Sequence, residues 1–305
     1  MKRELSIIGA PSSAGAYAPG QEKAPDALRD AGLVTLLQKQ GVNVHDYGNV
    51  PGFRWQPDLA APNAMNAATV TRVAGEVAAH VENFLSKGNA ALVLGGDCTV
   101  ELGTVAGALR VSESVGLIYF DLDADLHTPN STIDGALDWM GVAHLLDLEG
   151  VVDSLAGMGP RRPMLPPEAI HLFAYKNIKP WEQQVIDKLG IEGTHADVVN
   201  EGAEETAVTL LKTWATQFDL LLIHFDVDVI DFGQFPIAEH SRRQMGLTLV
   251  QTMSSLGTLL TADNFAALTV SEINPDHGLE DGSTIKEFTR RLVHALLHAP
   301  SLTTA

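Results

Sequence analysis

Gly116-Leu117-Ile118-Tyr119-Phe120-Asp121-Leu122-Asp123-Ala124-Asp125 decides how this chain is read. The first five residues have the composition of a buried strand, and carboxylates then follow at every second position. Side chains at i, i+2 and i+4 of an extended segment project to one side. Two further stretches repeat the device: Ala90-Ala91-Leu92-Val93-Leu94 runs into Gly95-Gly96-Asp97-Cys98, and Leu220-Leu221-Leu222-Ile223-His224-Phe225 runs into Asp226-Val227-Asp228. A lone Asp after a strand is ordinarily a turn former or a helix N-cap. Acids gathered at three strand ends repel one another unless a cation sits among them. The pattern predicts a metal-dependent enzyme.

The segments around these strands alternate between apolar runs and helical periodicity. Leu5–Ala10, Val42–Tyr47, Ala169–Phe173 and Ala266–Glu272 read as further strands. Ala24–Gln40, Asn63–Ser86, Thr99–Arg110, Ala136–Leu146, Trp181–Leu189, Ala203–Thr216, Thr248–Leu260 and Glu280–His298 read as helices. Strands alternating with helices imply an α/β fold whose parallel sheet is covered on both faces. Ligands of such sheets bind beyond the carboxyl ends of the strands, where the acidic stretches and Glu272 fall. Residues 150–167 read as a long Gly- and Pro-rich loop, and no domain-sized linker interrupts the chain, so residues 1–305 are expected to form a single domain.

Composition narrows the partners. The chain has 305 residues and a formal net charge of -18, which argues against nucleic acid and anionic membranes and suits a cationic substrate or metal ions. No run approaches the roughly 20 apolar residues of a membrane span. The first residues lack a signal-peptide pattern, and Cys98 is the single cysteine, so a reducing cytoplasm is expected.

With these motifs in order, the chain resembles the ureohydrolase superfamily of arginases, agmatinases and formiminoglutamases, and is nearest its arginase branch. Ile7-Ile8-Gly9-Ala10-Pro11, Gly20, Ala27-Leu28-Arg29 and His45-Asp46-Tyr47-Gly48 are similar to the family's opening. Gly95-Gly96-Asp97-Cys98 resembles its Gly-Gly-Asp-His, Asp121–Asp125 its Asp-Ala-His-x-Asp, and Asp226-Val227-Asp228 its Asp-x-Asp. Ser271-Glu272-Ile273-Asn274-Pro275 resembles its Glu-x-Asn-Pro. The resemblance implies a three-layer α/β/α sandwich around a mostly parallel, about eight-stranded sheet. It also implies two divalent ions, manganese foremost, and hydrolysis of a guanidino or amidino C–N bond in a small cationic substrate. A homo-oligomer, trimer or hexamer, is implied as well. Carried over position by position, Cys98, Asp121, Asp123, Asp125, Asp226 and Asp228 fall on metal-ligand positions. Asp125 orients the nucleophile, Glu272 pairs with the cationic head of the substrate, and Asp97 lies behind the ligands.

The chain departs from that pattern where the chemistry is done. Cys98 and Asp123 replace two family histidine ligands, and Asp138 stands where a histidine proton shuttle is expected. Five carboxylates and a thiolate leave the cluster about two units negative around two divalent ions. Thiolate suits zinc or iron better than manganese. Three readings stand open: a remodelled two-metal centre, a single ion, or a relative without metal that serves as a binding or regulatory subunit. In the substrate loop His127, Thr132 and Asp134 occupy the places where arginases use Asn, Thr and Ser, and Lys179 stands where arginases place the acid that receives the α-amino group. Lys cannot accept an ammonium, so arginine is not expected to bind as it does in arginases. An N-substituted or N-hydroxylated guanidine fits better. Asp125, Asp138 and Glu272 are the expected catalytic residues.

Overall fold

A computed structural model describes residues 2–303. Its eight strands are β1 (Leu5–Gly9), β2 (Val44–Asn49), β3 (Ala90–Leu94), β4 (Val115–Phe120), β5 (Ile170–Tyr175), β6 (Glu192–His195), β7 (Leu220–Asp226) and β8 (Phe265–Ser271). They form one parallel sheet in the order β2-β1-β3-β8-β7-β4-β5-β6. The central strands β3, β4 and β8 are buried along their whole length, as apolar runs without alternation require when both faces are covered. The edge strands β2 and β6 are partly exposed and more polar.

Two apolar cores flank the sheet, and the strand pleat sorts side chains between them. Ile118 and Phe120 of β4 join one core with Ile223 and Phe225 of β7; Leu117 and Tyr119 join the other. The first core packs beneath Ala24–Asp30, Leu33–Lys39, Ala203–Thr213, Leu249–Leu259 and Ser283–Leu296. The second packs beneath Ala67–Ser86, Val100–Leu109 and Pro180–Leu189. Among the described residues no helix is long and apolar enough to cross a membrane.

Several expectations change in detail. The segment 24–40 is two helices, because Gly32 takes a left-handed conformation (φ 94°) between them. The strand Glu192–His195 and the helix Ala196–Glu201 were not expected from the sequence. Residues 136–146 hold only a 3-10 turn, Asp138–Met140, and the short helix Gly141–Leu145.

Register places the functional ends side by side. Phe120 pairs with Phe225, Phe225 with Val270, and Leu94 with Val270, so β3, β8, β7 and β4 finish at one level. Gly96 then lets the turn after β3 touch its neighbour: a Cβ there would lie 1.9 Å from the Ser12 carbonyl oxygen. The Gly96 carbonyl accepts the Glu272 N–H at 2.8 Å, which ties the end of β3 to the end of β8.

Candidate metal centre

The acids converge through turns rather than through strand pleating. β4 ends at Phe120, and residues 121–125 are irregular, with Asp125 in the left-handed region (φ 48°). Asp226 closes β7, and Val227–Val229 is a 3-10 turn capped by the Asp226 carboxylate, which accepts the Asp228 N–H at 2.7 Å. Glu272 also has positive φ, 64°. Such backbone costs roughly 1–2 kcal/mol per non-glycine residue and collects where function requires a fixed direction.

Cys98 is buried, its Sγ 3.2 Å from Asp226 Oδ2 and 3.4 Å from Ser271 Oγ. Burial, then Asp226 and Glu272 nearby, push its thiol well above the ordinary range. Asp121 accepts the Asp123 N–H at 2.7 Å through Oδ1, while its Oδ2 has no hydrogen-bond partner. His224, two residues before Asp226 and on the same side of β7, has Nε2 3.7 Å from Asp121 Oδ2 and Nδ1 3.6 Å from Glu101 Oε2. Burial opposes an imidazolium there, but the acids on either side outweigh it and raise its pKa to about 9. Donor atoms of Cys98, Asp121, His224 and Asp226 lie within 4.8 Å of one another and are all buried. One sulfur, one nitrogen and carboxylate oxygens are a donor set that fits a transition-metal ion.

A second group of donors, from Asp121, Asp123 and Asp228, also lies within 4.8 Å. That position holds a side chain. The Arg242 guanidinium donates from Nη1 to Asp228 Oδ2 at 2.6 Å and to Asp123 Oδ2. Asn177 Nδ2 donates to the other Asp123 oxygen at 2.6 Å. Each Asp123 oxygen thus has a hydrogen-bond partner, and Arg242 supplies the positive charge at the position where Asp123 is expected to hold an ion. Burial raises Asp123 to about 6 and Asp228 to about 7, with Arg242 pulling both the other way.

The residues expected to be catalytic, Asp125, Asp138 and Glu272, all line the cleft. Asp125 Oδ2 accepts from the Tyr119 hydroxyl; burial, then Asp121 and Asp123, raise its pKa well above the carboxylate range. Asp138 is 4% exposed, and among the described residues neither of its oxygens has a hydrogen-bond partner. Burial and then Glu272 raise its pKa strongly as well. Glu272 accepts from Cys98 N at 2.8 Å and from Gln21 Nε2 at 3.0 Å, and burial lifts it to about 8. Asp97 sits behind, accepting Gly15 N–H at 2.9 Å and Thr99 N–H at 3.1 Å. Cys98, Asp125, Asp138, Trp139, His240 and Glu272 are among the residues lining a cleft of about 10 Å³, room for roughly one water. His240 sits between the rings of Trp139 and Tyr17, with centroids 5.4 and 5.3 Å away.

Of the four loop residues expected to touch substrate, two meet and two do not. Lys179 Nζ donates to His127 Nε2 at 2.7 Å and lies 5.5 Å from the Trp139 ring. His127 therefore carries its proton on Nδ1, toward Ser131, and is neutral; burial, then Lys179, lower its pKa. The positive charge at the mouth belongs to Lys179. Thr132 and Asp134 instead make a local turn, Asp134 Oδ1 accepting from Thr132 Oγ1 and Ala136 N at 3.1 Å each.

Sequence reasoning missed His224, Tyr119, Trp139, His240 and Arg242. The spacing of His224 from Asp226 was a usable signal, since i and i+2 share a strand face. Nothing local marked Arg242, which arrives from a loop 14 residues beyond Asp228.

Comparison with known proteins agrees with the geometry. The Arginase family model matches residues 3–298. Human arginase-1 is 30% identical over 294 residues, covering 94% of this chain and 89% of that protein. The hepatic arginase of Aquarana catesbeiana is 29% identical over 283 residues, 91% and 86% of the two chains. The native arginase structure of Bacillus caldovelox superposes with a TM-score of 0.86 at 23% identity over 97% of this chain and 98% of that one. Proclavaminate amidino hydrolase of Streptomyces clavuligerus gives 0.71 at 18% identity over 98% and 92%. These last two likenesses establish the fold, and the family match with its motif-bearing strand ends establishes that this chain belongs to the arginase family.

Proposed function

We propose that the chain hydrolyses a C–N bond of a small guanidino or amidino compound, at a centre that takes one divalent ion between Cys98, Asp121, His224 and Asp226. The carrying observation is the set of buried, unpartnered carboxylate oxygens on Asp121 and Asp138 beside Glu272. Buried polar atoms without partners are rare in folded proteins and call for an ion or a ligand. Manganese is the family expectation, but the Cys98 and His224 donors favour zinc or iron. An ion held there supplies a Lewis acid and lowers the pKa of water.

The chain's own groups account for the remaining steps. Glu272 receives the cationic head of the substrate; its raised pKa falls back once a guanidinium stands against it. Positive charge in the cleft likewise returns Asp125 to the carboxylate form, oriented by the Tyr119 hydroxyl. Asp125 takes a proton from water as the water oxygen adds to the amidino carbon. The C–N bond breaks, and protonated Asp138 gives its proton to the leaving nitrogen. Urea or a related amide and an amine are released, and the proton on Asp125 restores Asp138. Trp139 and His240 must swing aside to admit the substrate, because the cleft as it stands is water-sized. Lys179 at the mouth favours an anionic tail over the α-ammonium of arginine.

A panel of guanidines and amidines, scored for urea and amine release after loading with zinc, iron or manganese, tests this reading. Turnover is expected for at least one anionic-tailed compound, with Asp125→Asn slower by about a thousandfold. No turnover across the panel with any metal contradicts it. The water-sized cleft favours one second reading, a non-catalytic binding subunit, for which cationic compounds raise the melting temperature without being cleaved.

A further inference from the structure

We infer that Arg242 is this chain's resident cation at the Asp121–Asp123–Asp228 position, so that no divalent ion binds there. The inference touches the proposed function only in the number of ions and does not depend on turnover.

Three observations carry it. Arg242 Nη1 lies between Asp123 and Asp228, the second at 2.6 Å, where an ion bridging the same oxygens would have to sit. A guanidinium stays protonated at any physiological pH and matches carboxylates in shape as well as charge. The side chain is 17% exposed and Asp228 1%, so the pair is sheltered from solvent screening.

The loop that brings Arg242 in is clamped at both ends. Leu247 N donates to the Val229 carbonyl at 2.7 Å, and Asp231 N to the Leu247 carbonyl at 2.8 Å. Phe232 N donates to the Arg242 carbonyl at 3.0 Å. Asp231 gathers the interior of the loop through Met245 N at 3.2 Å and Gly233 N at 3.0 Å. Gly246 permits the closure: a Cβ there would meet the Val229 carbonyl oxygen at 2.5 Å. Arg243 packs over Phe232 at 5.6 Å, so only Arg242 of the pair points inward. Asn177 donates to the far oxygen of Asp123 at 2.6 Å and fixes that carboxylate with its near oxygen toward Arg242.

Metal content after loading and desalting, measured by elemental analysis and by calorimetric titration with Mn²⁺ or Zn²⁺, tests the inference. Wild type is expected to hold at most one ion per chain, and Arg242→Gln to hold one more than wild type. Asp123→Asn should leave wild-type ion affinity within about twofold, whereas loss of a true ligand or its support lowers it by about tenfold or more. Two ions in wild type, or a tenfold weakening by Asp123→Asn, overturns the inference. If Arg242→Gln does not fold, the wild-type and Asp123→Asn measurements decide alone. Zero ions in wild type leaves the Arg242 assignment standing and counts instead against the single-ion hydrolase.

Discussion

Lys179 places a fixed positive charge at the mouth of the cleft, held by a hydrogen bond to neutral His127 and by the face of Trp139. In the proposed reaction it meets the tail of the substrate, away from the breaking bond. Lys179→Ala is therefore expected to raise KM for an anionic-tailed substrate about tenfold with kcat nearly unchanged, the signature of lost uniform binding. Steady-state kinetics checks it; an equal fall in kcat would place Lys179 in the chemistry instead. At this scale the sequence was legible where a residue's role follows from its place at a strand end. Asp123, Asp125, Asp138, Asp226 and Glu272 line the cleft, and Asp121 places a donor beside those of Cys98 and Asp226. What the sequence did not announce is the partner Asp123 has here, Arg242, 119 residues away. The step from clustered acids to a metal centre left out a cation the chain itself supplies, Arg242.

Elements show the same division between local and long-range causes. The strands β3, β4, β7 and β8 were readable to within a residue or two, because apolar runs buried on both faces leave little choice of structure. The acidic segments after them were read as extended and are turns, since carboxylates capping nearby N–H groups compete with a strand continuation. The short helix Gly141–Leu145 owes its place to a buried side chain. His144 Nε2 accepts the Val152 N–H at 3.2 Å, so the imidazole is neutral and donates from Nδ1 to the Met140 carbonyl at 2.6 Å. Burial lowers its pKa to about 4 from an ordinary value of 6.5. The unfolded chain then binds the extra proton more readily than the folded one between those values. The stability this group contributes is complete above pH 6.5 and is lost as pH falls toward 4, by about 3 kcal/mol in all. Imidazole NMR should show His144 as the Nδ1–H tautomer down to near pH 4; titration near 6.5 would contradict the assignment.

Across the whole molecule, alternating strands and helices were enough to reach a parallel sheet with covered faces, and four motifs in order were enough to reach its family. Strand order was not legible, because the placement of β8 between β3 and β7 depends on its pairing with β3, where Ala91 meets Ala267 across most of the chain. That placement matters most for function. It sets Glu272 beside Cys98 and Asp226, and leaves the acids of β4 and β7 to face a loop that carries its own arginine. The acidic sequence, net charge -18, thus resolves into a surface excess and an inner cluster that is partly self-neutralised. Anomalous scattering from crystals soaked in zinc or manganese tests the central claim most directly. One peak per chain is predicted, among Cys98, Asp121, His224 and Asp226, with the Arg242 guanidinium still on Asp123 and Asp228. Two adjacent peaks with Arg242 displaced, or no peak at all, would contradict it.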